Sequence, residues 1–199
     1  MPDRKGYIVE RGIIVIHREL TELDLFLKKF LDVLNKYSDY LVVSGFVSIC
    51  SGRTRATEDI DVLAPVIKKE EFGKLLKDLK ENKFWCYQGD DIDEIYSYIE
   101  KMMNIRFAEQ DTMFPNIEFI PINKLKKAKY FEFTHPQKIK VKGFEFKIPP
   151  IEFEILYKEI ILNGNKDIAD ARHLRTFFSD ILDEKKFKEY EPIIKGELK

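Results

Sequence analysis

Cysteine is scarce in this chain: its 199 residues hold two, Cys50 and Cys86. Both sit in apolar stretches without CxxC spacing, which argues against a thiolate metal cluster and against the disulfide framework of a small secreted domain. Histidine is scarce too, with only His17, His135 and His173, none spaced as a zinc site or flanked like a hydrolase base, so each reads as structural. There is no GxSxG. Gly45 with Gly52-Arg53-Thr54 fails as a P-loop, because the spacing is too long and arginine stands where lysine belongs. Apolar runs stay short of the roughly 18 residues that span a bilayer. The start MPDRKGYIVE lacks a signal-peptide core, so the expectation is a cytoplasmic protein with no membrane partner. Net charge is -1, so any nucleic-acid contact must be local rather than a property of the whole surface.

What is present is the composition of a globular protein, 44% hydrophobic and 35% charged, long enough for one large domain or two small lobes. Leu23, Phe26, Leu27, Phe30, Leu31 and Leu34 form the apolar stripe of an amphipathic helix, with Thr21 as its N-cap. Tyr40 to Val43 and Asp59 to Leu63 read as strands separated by a polar, permissive segment. The pattern then predicts a helix over 68–81, a strand over 84–87, a helix over 92–99, and a hairpin from strands near 104–108 and 116–122. A second hairpin is predicted around Lys142-Gly143, and helices over 151–162, 166–178 and 184–190. Lys124 to Lys129 reads as a solvated helix face, with Phe131 and Phe133 toward the core, in preference to a polynucleotide track. The fold class expected is α/β (α+β), a mixed sheet flanked by helices. Pro149-Pro150 suggests a boundary, giving residues 1–148 as an α/β domain and 149–199 as a helical C-terminal lobe.

The segment richest in chemistry runs from Ser44 to Asp61. Alternation along a strand puts Asp59 and Asp61 on one side and Ile60 on the other. At roughly 3.3 Å per residue the two carboxylates stand ~7 Å apart along the strand, a spacing at which hard divalent cations can be shared. Like charges so placed call for a counter-charge, for which Arg53 and Arg55 are the nearest candidates in sequence.

Gly45, Gly52, Arg55, Thr57, Asp59, Ile60 and Asp61 fall in the register of a known signature. The segment resembles that of the polymerase-β-type nucleotidyltransferase superfamily, particularly its small prokaryotic members similar to abortive-infection (AbiEii-type) toxins. Ser44 stands where that signature usually has its first glycine, and Ser51 where a histidine often stands. The resemblance extends to Lys158 and to the run Asn165 to Asp170, and so spans most of 40–178. It implies a nucleotidyltransferase fold and transfer of a nucleoside monophosphate from a nucleoside triphosphate, ATP among the possibilities, to an acceptor hydroxyl. Mg²⁺ or Mn²⁺ would be held by Asp59 and Asp61, with Glu118 as the third carboxylate, serving as metal ligand or general base. Ser44, Gly45, Arg55, Thr57 and Lys158 would contact the nucleotide, and Asp167 and Asp170 would orient Lys158 or Arg172.

The acceptor and the base preference are not named by these residues; RNA, a protein hydroxyl and a small molecule all fit. Two other readings stay open: a nucleotide- or nucleic-acid-binding domain without catalysis, and the toxin component of a toxin-antitoxin pair, held in check by an antitoxin; a homo-oligomer is the other partner expected.

Overall fold

The Thr21 N-cap forms as expected, in a reciprocal capping box. Its hydroxyl accepts from the Asp24 backbone, and Asp24 accepts from the Thr21 backbone. This starts α1 (Glu22–Leu34), the first helix of a computed structural model that describes residues 6–198. The first residues of the MPDRKGYIVE segment lie outside that range.

The described chain contains nine strands: β1 (Tyr7–Glu10), β2 (Ile13–Ile16), β3 (Leu41–Val43), β4 (Asp59–Pro65), β5 (Phe84–Cys86), β6 (Ile105–Glu109), β7 (Asn116–Ile122), β8 (Gln137–Val141) and β9 (Phe144–Ile148). The helices after α1 are α2 (Gly45–Cys50), α3 (Lys69–Glu81), α4 (Ile92–Glu100), α5 (Lys127–Thr134), α6 (Ile151–Tyr157), α7 (Asn165–Phe177) and α8 (Glu184–Lys195). Contacts divide the chain into two compact units: residues 1–19, 42–55 and 124–199 form the first, and residues 20–41 and 56–123 the second. Pro149 therefore falls inside the first unit. No helix among the described residues is long and apolar enough to cross a membrane.

In the second unit, the parallel pair β4 and β7 is followed by β6 and β5, each antiparallel to its neighbour. The sheet they belong to has the order β3-β4-β7-β6-β5. Ile60, Val62, Ile117, Phe119 and Phe107 point to the buried face. There Phe30 meets Phe84 and Phe107, and Phe72 meets Phe119. The period-2 alternation thus leaves the other face to Asp59, Asp61 and Glu118, which are half-buried.

The first unit holds the sheet β1-β2-β8-β9, in which β2 runs parallel to β8. Its opening hairpin was not among the expected elements, although Arg11 and Gly12 both take the positive φ, 50° and 82°, of a two-residue turn. The Lys142-Gly143 hairpin forms in the predicted register, Val141 opposite Phe144. The helix expected over 151–162 is α-helical only to Tyr157 and continues as a π-helix from Lys158 to Leu162. Phe131 and Phe133 are only half-buried on α5, because 3.6 periodicity turns Ala128 and Glu132 inward in their place. Burial pushes the Glu132 carboxyl up to about 7, against the opposing charge of Lys129.

Candidate active site

One group of candidate residues, the acidic one, belongs to the second unit. β4 and β7 pair in register with Asp59 opposite Asn116 and Asp61 opposite Glu118. β6 adds Arg106 opposite Glu118. Asp61, Glu118 and Arg106 therefore form one row across three strands, with neighbouring Cα atoms about one strand spacing apart, ~4.8 Å. The third carboxylate predicted from sequence thus stands beside the Asp-Ile-Asp strand. Its side chain is engaged: Glu118 accepts from Asn104 Nδ2 at 2.8 Å and from Arg106 at 3.1 Å. The hydrogen bond to Glu118, and then the charges of Glu118 and Asp59, hold the Arg106 guanidinium above its usual range despite some desolvation. Arg106 and Asn104 were not singled out in the sequence; the signal was the place of Arg106 on the strand antiparallel to the Glu118 strand, with Asn104 just before it.

Thr57 donates its hydroxyl to the Asp59 carbonyl at 2.9 Å and fixes the entry into β4. Asn116 does the same from the neighbouring strand, donating from Nδ2 and from its backbone to the Glu58 carbonyl. Asp59, Asp61 and Glu118 are hard oxygen donors, the type that Mg²⁺ and Mn²⁺ take. Among the described residues no three His, Cys, Asp or Glu side chains are already gathered around one point. The donor set fits a divalent cation through Asp59 and Asp61, with Glu118 directed at Arg106.

A separate, basic group of candidate residues belongs to the first unit. Ser44 follows β3 with φ 63° and ψ -130°, a conformation that glycine adopts far more readily than serine. The departure from the glycine of the signature is therefore one of residue type and not of backbone shape. Gly45 follows and opens α2, and a Cβ there would lie 2.9 Å from an Arg55 guanidinium nitrogen. Arg55 thus packs flat on a bare backbone. Its Nε is buried without a protein acceptor, an arrangement expected where a ligand supplies one.

Arg53 and Arg55 do not serve as counter-charges to the Asp-Ile-Asp strand, as their place in sequence suggested. Both donate to Asp170, which is fully buried. Lys158, equally buried, contacts Asp170 and Glu154, at 3.2 Å each. Three cations around two carboxylates leave an excess positive charge, and the two guanidinium groups remain 24% and 17% exposed while Lys158 is closed off. The lysine is thus placed to support Asp170 rather than to reach a ligand. Asp170 orients Lys158, as the sequence suggested, but Arg172 lies exposed on the helix surface. Asp167 lies at the start of α7, its carboxylate 2.8 Å from where a Cβ of Gly164 would be. His173 approaches the Ser51 hydroxyl and carbonyl at 3.0 and 3.2 Å. Its pKa is lowered, by burial first, with Arg53 adding to the effect and the Ser51 carbonyl and Asp170 opposing it.

No protein-family model matches the chain, and no curated protein does. Among solved structures it is similar to an antigenic nucleotidyltransferase-like protein from Paracoccidioides brasiliensis, over 86% of this chain and 83% of that one, with 14% identity and a TM-score of 0.52. It is also similar to the antibiotic-resistance factor ANT(2'')-Ia, over 87% of this chain and 91% of that one, with 13% identity and a TM-score of 0.49. The mixed sheets flanked by helices, with the first of these likenesses, give the chain a nucleotidyltransferase-like fold.

Proposed function

We propose that the chain transfers a nucleoside monophosphate from a nucleoside triphosphate to an acceptor hydroxyl. The observation that carries this reading is the row Asp61, Glu118 and Arg106 with Asp59 on the same sheet face. Three carboxylates on one half-exposed strand face repel one another, and a divalent cation would offset that repulsion. Asp59 and Asp61 would hold Mg²⁺ or Mn²⁺, which when bound supplies Lewis-acid polarisation of phosphate oxygens. The acceptor oxygen forms a bond to the α-phosphorus, the bond from that phosphorus to pyrophosphate breaks, and Glu118 takes the hydroxyl proton. Arg106 would hold the Glu118 carboxylate in place. The Ser44-Gly45 amides, Arg55 and Arg53 would bind phosphate oxygens, with Lys158 acting through Asp170, and Thr57 would shape the acidic strand. We keep residues 149–199 as the lobe that contributes Lys158 and Asp170 to this work.

One observation favours a second reading, a nucleotide-binding domain without catalysis: Asn104 and Arg106 already occupy the Glu118 carboxylate. Incubation with each α-labelled nucleoside triphosphate and Mg²⁺ or Mn²⁺, followed by a search for label on RNA, protein and small-molecule acceptors, separates the two. Transfer that disappears in Asp59→Asn supports the enzyme. Transfer that survives in Asp59→Asn refutes the assigned site, and tight binding without transfer favours the second reading. A toxin role, with an antitoxin as partner, predicts growth arrest on expression that Asp61→Ala relieves.

A further inference from the structure

The carboxylate row does not end at Arg106. Tyr87 donates its backbone N–H to the Arg106 carbonyl at 2.9 Å, which carries the β5–β6 register one residue past β5. Two residues earlier, Trp85 stands opposite Ala108, which stands opposite Asn116, which stands opposite Asp59. Directly opposed residues share a face. Trp85 and Tyr87 therefore lie on the face that bears Asp59, Asp61 and Glu118, at its far edge.

The two rings are stacked, with centroids 4.7 Å apart and planes within 22°. They are also held from behind. The Trp85 indole donates to the Glu109 and Thr112 carbonyls at 3.1 and 2.9 Å, and the Tyr87 hydroxyl donates to the Met113 carbonyl. Polar anchors on both rings fix their planes while Trp85 stays 36% exposed, and Met113 and Phe114 beside them are 56% and 53% exposed. Rigid exposed aromatic faces with their polar atoms already satisfied suit a flat, apolar-faced ligand.

We infer that Trp85 and Tyr87 form a stacking platform for a nucleobase. The inference deepens the nucleotidyl-transfer reading and rests on it only for which part of the substrate the base belongs to. Three strand spacings of ~4.8 Å separate the ring pair from Asp59 and Asp61, about 14 Å. A few stacked nucleotides at ~3.4 Å per step cover that span. The base on the platform therefore belongs to a neighbouring residue of a single-stranded acceptor, with Arg106, 44% exposed, between the rings and the carboxylates to meet a phosphate. A free mononucleotide is the other source of the same chemistry.

Trp85 is the only tryptophan, so its emission reports the site directly. The full chain, in Mg²⁺ buffer, is titrated with single-stranded RNA of about six nucleotides, within the usual site size for strand-binding surfaces, and separately with the constituent mononucleotides. Saturable quenching by the oligonucleotide and little by mononucleotides at equal base concentration is the expected result. Equal quenching by both, or none by either, overturns the inference. In anisotropy titrations of a labelled oligonucleotide, Trp85→Ala should weaken binding at least about fivefold, the low end for stacking one base on an aromatic ring. Trp85→Phe should restore most of it, and wild-type affinity in Trp85→Ala would sink the platform. Nucleoside triphosphate binding measured on the same variants keeps the two claims apart: triphosphate binding without oligonucleotide binding defeats the platform alone, and the reverse defeats the transfer reading alone.

Discussion

The two units carry opposite charge. The first has 23 Lys and Arg against 16 Asp and Glu, a net of +7, and the second has 11 against 19, a net of -8. They also handle their functional charges differently. In the acidic unit the carboxylates stand half-exposed in a ladder, positioned by strand register. In the basic unit the charges are buried around Asp170 and Glu154, and two arginines emerge from them. Removing the Glu118 charge leaves a half-exposed partner, Arg106, whereas removing the Asp170 charge leaves the buried Lys158. The acidic row is therefore expected to govern activity more than stability, and the basic network to govern both.

Asp170→Ala sharpens that difference most. It strips the partner from buried Lys158 and from two arginines, and removing one member of a buried ion cluster costs about 3–5 kcal/mol. Chemical denaturation should show a loss of that size. Asp59→Asn should lower transfer by about 10²–10³, the scale of one lost transition-state contact, while the same denaturation experiment shows a change within about 0.5 kcal/mol. A large stability loss there would erase the contrast between the units. Gly45→Ala must displace the Arg55 guanidinium, since the new Cβ would lie 2.9 Å from it. Triphosphate affinity should fall about tenfold, roughly 1.4 kcal/mol, as read by calorimetry.

The contrast also explains what could be read from the sequence. Period-2 alternation gave Asp59 and Asp61 one face and Ile60 the other, and 3.6 periodicity gave α1 and α3, because those patterns are local. The resemblance called for a third carboxylate on a later strand, and Glu118, the polar residue between Ile117 and Phe119, met it. The Asp170 network was not legible: Arg53 and Arg55 precede Asp170 by more than a hundred residues, and no periodicity links them. Their nearness to Asp59 in sequence pointed to the wrong acids. The parallel pairing of β2 with β8 lies across a similar separation. In α5, placing Phe131 and Phe133 toward the core concealed a helix whose buried residues are an alanine and a glutamate.

Two smaller effects test the basic unit further. Ser44 holds a glycine-like backbone at φ 63°, so Ser44→Gly should stabilise by about 1 kcal/mol through relief of that conformation, in a thermal or denaturant melt. His173 has a pKa lowered from 6.5 in the fold. The unfolded chain therefore binds the proton more readily, and the stability held above that value declines as pH falls through it. His173→Gln should flatten the decline in melting temperature between neutral and mildly acidic pH.

The central claim is that Asp59 and Asp61 make nucleotide binding depend on a divalent cation. Calorimetric titration of each nucleoside triphosphate, with and without Mg²⁺, into the wild-type chain and the Asp59→Asn, Asp61→Asn double variant tests it directly. The account predicts Mg²⁺-dependent binding by the wild type that the double variant loses while remaining folded. Binding of equal strength in the double variant, or none by the wild type with Mg²⁺ present, would contradict it.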